Sequence, residues 1–242
     1  MLAELSAGVS RILRLQNNGS KIFNFAVSYA APILYGYIEW ILEQCITRGI
    51  TNLYFIARDG YIPKIIADIL ISKKKLDIKT HYFYSSRKAG RIPNDKNIEQ
   101  YIKWIFSELK KSITPEFIAK RFNISLKELD TFLNYKNPNK KLNEKDIKNC
   151  IKILSNSSEF KNLVIEKNKA RKELYLNYLK QEIDFSKNNF AFVDMNGSGR
   201  TQDNLGDLIS DFCKYPIISF YFHVQADMKQ TPHSIKLAYI HT

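Results

Sequence analysis

Apolar residues recur along this chain in two rhythms, and the alternation between them predicts the fold. Leu53-Tyr54-Phe55-Ile56-Ala57 is a short unbroken run, the pattern of a strand over 52–57 that is covered on both faces. Ile62, Ile65, Ile66, Ile69 and Leu70 follow at helical spacing and predict one apolar face. His81-Tyr82-Phe83-Tyr84 then reads as a second strand. Together these form a β-α-β unit, for which a parallel pair with a right-handed crossover is expected. From Asn94 to Glu182 the rhythm is helical, through Ile98-Tyr101-Ile102-Ile105-Phe106, Phe117-Ile118-Phe122 and Leu174-Tyr175-Tyr178-Leu179. Strand character returns at 190–193 and 217–224 with a helix over 201–212 between them, and Leu237-Ala238-Tyr239-Ile240 opens a further strand.

This order predicts an α/β fold: an open, mainly parallel, Rossmann-like sheet with a large all-helical insertion acting as a cap. The expected division is a lead-in or linker over 1–20, closed by the turn cluster Asn17-Asn18-Gly19-Ser20, a core from 21–93 and 183–242, and an insertion from 94–182. So few strands suggest a domain cut from a longer protein. Ile22 to Leu42 comes nearest to a membrane span. Asn24, Pro32, Glu39 and several tyrosines interrupt it, so the expectation is a buried helix opened by Pro32 after a turn.

Composition narrows the setting. In 242 residues, 45% hydrophobic content suffices for a packed core. Cys45, Cys150 and Cys213 lie far apart with no CxxC or Cys/His metal spacing, and no secretory signal pattern is present. Both point to reduced thiols in the cytoplasm. The formal charge of +13 favours acidic partners: phosphorylated substrates, anionic lipid at the inner face of the membrane, or nucleic acid. Lys96 to Glu182 supplies much of it, with 19 basic and 11 acidic residues, a balance that solvated lysine-rich helix faces explain. Thr114 to Leu129 has a helix-turn-helix outline, yet its second helix carries Glu128 and Asp130, a poor face for DNA phosphates.

The candidate chemistry lies where strands give way to helices. Asn196-Gly197-Ser198-Gly199-Arg200-Thr201-Gln202 combines glycines for close backbone approach with hydroxyl, amide and guanidinium donors at a helix start, a suitable phosphate cradle. It is neither a Walker A loop nor GxGxxG. Ser85-Ser86-Arg87 offers similar donors after the second strand, though the same residues make an ordinary helix cap. Arg58-Asp59-Gly60 ends the first strand. Asp59 and Asp194 are the candidate catalytic carboxylates, able to share Mg²⁺ or position water, with Arg58 contributing charge. His81, His223, His233 and His241 form no recognisable triad.

These motifs, Arg58-Asp59-Gly60, Ser86-Arg87, and Val193-Asp194 followed by Gly197, Gly199, Arg200, Thr201 and Gln202, resemble a bacterial family of predicted hydrolases of the haloacid dehalogenase superfamily. Its members occur alone or fused to glycosyltransferases of surface polysaccharide assembly. The resemblance implies action on a phosphorylated or nucleotide-activated sugar in capsule or lipopolysaccharide synthesis, a glycosyltransferase as partner, or a non-catalytic ligand-binding module. It also places Ala57 where the superfamily's phosphatases carry their nucleophilic aspartate, and Asp59 at the general acid/base position. The implied chemistry therefore lacks an aspartyl-phosphate step. Asn196 and Arg200 depart from the family pattern.

Overall fold

The structure, a computed structural model, describes residues 2–16, 20–107, 113–224 and 230–240. The chain divides into two compact units: Met1–Ser86, Ser186–Asp203 and Lys214–Thr242 form one, and Arg87–Phe185 with Asn204–Cys213 the other.

The first unit is built on a five-stranded, all-parallel sheet in the order β2-β1-β3-β4-β5. Its strands are β1 (Asn52–Ile56), β2 (Lys79–Phe83), β3 (Phe190–Gly197), β4 (Ile217–Val224) and β5 (Ser234–Ile240). The α/β, Rossmann-like expectation holds. Leu53, Phe55, Ala191, Val193 and Phe220 are fully buried, each of the larger ones worth about 1.5–3 kcal/mol relative to exposure. They pack with Tyr37, Ile38, Ile41, Leu42 and Cys45 of helix α3 (Ala31–Arg48), which Gly49 stops in a left-handed conformation. Helix α4 (Tyr61–Lys74) buries Pro63, Ala67 and Leu70 but leaves Ile62, Ile65 and Ile69 exposed, so the face that packs is narrower than the apolar pattern.

The N-terminal end departs further from the pattern. Leu2–Gln16 is a helix, α1, where only a lead-in was expected; Asn17, Asn18 and Gly19 lie outside the described residues. No turn precedes Pro32. Helix α2 (Lys21–Phe25), capped by Ser20, passes through a π-helical segment (Ala26–Ala30) directly into α3. Pro32 is tolerated because the widened π-turn sits immediately upstream, where a missing N–H costs little. Burial of this long helix begins only at Tyr37.

The second unit is helical: α5 (Arg87–Gly90), α6 (Ile98–Ser107), α7 (Pro115–Phe122), α8 (Leu126–Leu133), α9 (Glu144–Asn156), α10 (Ser158–Lys167) and α11 (Lys169–Glu182) lie in chain order between β2 and β3. Ile102, Ile118, Phe122, Leu129, Leu154, Phe160 and Val164 make its core. Its helix ends are closed locally. Thr114, Ser125, Asn143 and Ser157 cap N-termini, while Asn123 and Asn134 take left-handed C-cap conformations. Buried Asn168 donates to the carbonyls of Phe122 and Val164, at 3.0 and 2.8 Å. Helix α12 (Arg200–Ile209) follows β3, and the division between units falls within it. All three cysteines are buried thiols outside any disulfide, and burial pushes the Cys45 thiol up to about 12 and Cys150 to about 11.

Candidate functional site

In a parallel sheet of order 2-1-3-4-5, connections leave β1 and β3 in opposite directions, so a crevice opens outside their carboxyl ends. Two of the three loops singled out from the sequence follow these two strands, and the third, Ser85-Ser86-Arg87, follows β2. Pairing Phe55 with Val193 sets the end of β1 level with Asp194.

After β1 the chain turns tightly. The Ala57 N–H donates to the Phe83 carbonyl at 2.8 Å, and the Gly60 N–H donates back to the Ile56 carbonyl at 2.8 Å. A Cβ on Gly60 would lie 2.5 Å from that carbonyl oxygen, so Gly60 is required by backbone packing. Between them Arg58 takes a left-handed conformation, φ +74°, uncommon for a residue with a side chain. Its N–H donates to the Tyr82 hydroxyl at 2.7 Å, which helps hold it there. The Arg58 guanidinium pairs with Asp59 through Nε at 2.8 Å and Nη2 at 3.3 Å, and its side chain stays 89% exposed. Asp59 foremost, and Asp194 as well, hold the Arg58 guanidinium further above its ordinary value. One exposed cation therefore lies within the field of both candidate carboxylates.

The β3 side is extended. Asp194 is inside the strand, and not at its end, because β3 continues to Gly197 beside β4. Its carboxylate accepts the Met195 N–H at 2.8 Å and the Gln202 side-chain amide at 3.3 Å. Gln202 is buried, so its amide serves to orient Asp194 more than to meet a ligand. Asn196 is exposed and pairs across the sheet with His223, whose Nδ1 lies 3.3 Å from the Asn196 amide oxygen. The short link Ser198-Gly199, with Gly199 at φ +72°, delivers the chain into α12. A Cβ on Gly197 would meet nothing nearer than the Gly199 nitrogen at 3.9 Å. Ser198 and Gly199 thus lead directly into the start of the ten-residue helix α12, where Arg200 and Thr201 are its first residues and the opening N–H groups have no partner within the helix.

Ser85 and Ser86 lie in the connection after β2, the neighbour of β1. Arg87 opens α5, and its side chain lies outside the described residues. His81 stacks on Tyr54 and lies 3.2 Å from the Asn52 amide, a satisfied core histidine; His233 precedes β5, and His241 lies outside the described residues.

Two contributors went unread in the sequence. The Tyr37 hydroxyl bonds the Asp194 and Phe220 carbonyls at 2.9 and 3.1 Å, tying α3 to the base of the site, and burial, then the Asp194 charge, raises its pKa well above the ordinary value. Tyr82 supports Arg58. Alternation along β2 could have flagged Tyr82, whereas nothing local links Tyr37 to a partner 157 residues away. Among the described residues no three His, Cys, Asp or Glu side chains gather to hold a metal. Asp59 is engaged by Arg58, and Asp194 by the Met195 N–H and Gln202. No protein-family model matches the chain, and no curated protein matches it.

Proposed function

We propose that this chain binds a phosphorylated or nucleotide-activated sugar, or a similar phosphate-bearing metabolite, outside the carboxyl ends of β1 and β3, and transfers or hydrolyses its phosphoryl or glycosyl-phosphate group. What supports this reading is that the adjacent strands β1 and β3, at one topological switch point, carry an exposed guanidinium paired with Asp59, the Asp194 carboxylate whose charge acts on that guanidinium, and a glycine-flanked helix start after β3. The N–H groups opening α12, with Ser198, Arg200 and Thr201, would take the phosphate oxygens. Arg58 would leave Asp59 in part to offset charge developing on the transferred group, and Asp194, fixed by Gln202, would orient the attacking water or hydroxyl. On the resemblance to the superfamily, Ala57 stands where its phosphatases carry an aspartyl nucleophile, so the reading is direct attack assisted by positioning. Where Mg²⁺ accompanies the phosphate, Asp59 and Asp194 would hold it, and it would supply Lewis-acid charge. The resemblance to hydrolases of the haloacid dehalogenase superfamily supports surface polysaccharide assembly, with a glycosyltransferase as partner, as the setting.

The test is a thermal-shift screen against nucleotide sugars, sugar phosphates and nucleotides, with and without Mg²⁺, on the protein and on Asp194→Asn. A ligand at about 100 times its Kd adds about 2.7 kcal/mol of stability. Selective stabilisation that disappears in Asp194→Asn is the expected result. Stabilisation that persists unchanged in the variant would remove Asp194 from the site, and a bound ligand that is never turned over would make the chain a binding module.

A further inference from the structure

The N-terminal helices carry an apolar surface that nothing described in the chain covers. On α1, Leu5, Val9, Ile12, Leu13 and Leu15 are all exposed, and their spacing puts them on one side of the helix. The opposite side makes the contacts: the Ser10 hydroxyl donates to the Val27 carbonyl at 2.5 Å and Arg14 donates to the Ser28 hydroxyl at 2.9 Å. On the facing helical path Ile22, Phe25, Tyr29 and Ile33 recur every three or four residues and are also exposed, Ile22 at 82%. Two helices thus touch through serines and turn leucines, isoleucines and aromatics outward, the reverse of a helical hairpin that folds for itself. A patch of this kind marks an interaction site.

We propose that residues 2–16 and 20–36 form an interfacial membrane-docking element that seats its apolar side chains at the headgroup boundary of an anionic bilayer. Charge selects this occupant. In residues 2–36 the charged residues are Arg11, Lys21 and Arg14, the last turned to Ser28 on the packed side, against Glu4, on a protein of formal charge +13. Outward apolar side chains with basic residues beside them are the composition of helices that lie in the membrane interface. Length excludes a span by the same helix. Lys21–Arg48 is long and apolar enough to cross, but from Tyr37 onward its Tyr37, Ile38, Ile41, Leu42 and Cys45 are committed to the sheet core. The free part, 21–36, rises only about 24 Å, short of a hydrocarbon core of about 30 Å. This element is independent of the phosphate site.

Flotation of the whole chain with phosphatidylglycerol-containing vesicles, compared with pure phosphatidylcholine vesicles, tests it. The expected result is capture by the anionic vesicles at least tenfold stronger than by neutral ones. It should be lost in Ile12→Asp/Phe25→Asp and weakened severalfold in Arg11→Glu/Lys21→Glu, with circular dichroism unchanged in both. These positions are exposed, so neither variant should disturb folding. No capture by either vesicle would overturn the proposal, as would equal capture by both. A dimer seen by light scattering that Ile12→Asp/Phe25→Asp converts to monomer, without vesicle binding, would assign the surface to a second copy instead.

Discussion

The two units spend their apolar residues differently. Among the described residues, the large apolar side chains left exposed include Leu5, Val9, Ile12, Leu15, Ile22, Phe25, Ile33, Ile62 and Ile69, all in the α/β unit; Leu174 alone belongs to the helical unit. The helical unit also caps its own helix ends and satisfies buried Asn168 internally. It is built to close on itself. The α/β unit keeps a polar, glycine-flanked crevice at one end of its sheet and uncovered helix faces elsewhere, which is the form expected of a unit whose surfaces are meant to be met by something else.

The contrast is sharpest in a pair of phenylalanines. Phe122 is fully buried against Tyr101 and Phe160, with ring centroids at 6.0 and 5.0 Å. Phe122→Ala should cost about 3–5 kcal/mol through lost burial and the cavity left behind. Phe25→Ala on the N-terminal helices should stay within about 0.5 kcal/mol, since that ring is already 62% exposed. Urea unfolding of both variants decides the matter. A large loss in Phe25→Ala would mean that the N-terminal surface is covered in solution.

A second pair lies inside the α/β unit. Gly60 has no room for a methyl group, and what crowds it is backbone, which cannot swing aside. Gly60→Ala should therefore cost about 1–3 kcal/mol in thermal or urea unfolding. Gly197→Ala should leave stability nearly untouched, because its Cβ would make only an ordinary contact, 3.9 Å from the Gly199 nitrogen. If the loop there receives a phosphate, the same methyl should weaken ligand binding about tenfold or more, readable as a lost thermal shift. Intact binding in Gly197→Ala would move the ligand away from the β3 loop. The two glycines look alike in sequence; one is needed by the fold, and the other could carry a methyl group without crowding the backbone.

That resemblance explains how far reading the chain could go. Strands buried on both faces announce themselves as unbroken apolar runs, so β1, the start of β3 and β4 were visible, as was the helical stretch between. Strand order beyond the parallel β1–β2 pair was not, because the remaining pairings depend on partners distant in the chain. The extension of β3 through Asp194, Met195, Asn196 and Gly197 was equally hidden, since a hydrogen-bond ladder with β4 holds those polar residues in extended form whatever their side chains prefer. Residues 1–20 gave only a lead-in to the reading, and helix α1 was missed; the side it packs is the serine side, not the apolar one. The residues flanking the crevice were legible one loop at a time. Tyr37, which supports Asp194 from another element, carries no local mark.

The smallest effects test whether the helical unit really closes on itself. Ser125 and Glu128 form a reciprocal cap at the start of α8: the Glu128 N–H donates to the Ser125 hydroxyl at 3.1 Å, and the Ser125 N–H donates to Glu128 at 2.7 Å. Ser125→Ala should cost about 1 kcal/mol. Lys167 also donates to Glu128, at 2.7 Å. Chiefly through that contact, and then through Ser125, the Glu128 carboxyl is held down at about 2. A carboxyl lowered in the folded state binds its proton more readily once unfolded, so its stabilisation is complete above the ordinary value of 4.5 and disappears as pH falls toward 2. Thermal midpoints followed by Trp104 fluorescence in a Trp40→Phe background should fall across that window, and less steeply in Glu128→Gln. Salt should flatten the difference, because the Lys167 pair is solvent-facing. If Glu128→Gln keeps the full acid slope, the cap is not what links α8 to α10, and the closure of the helical unit rests on its apolar core alone.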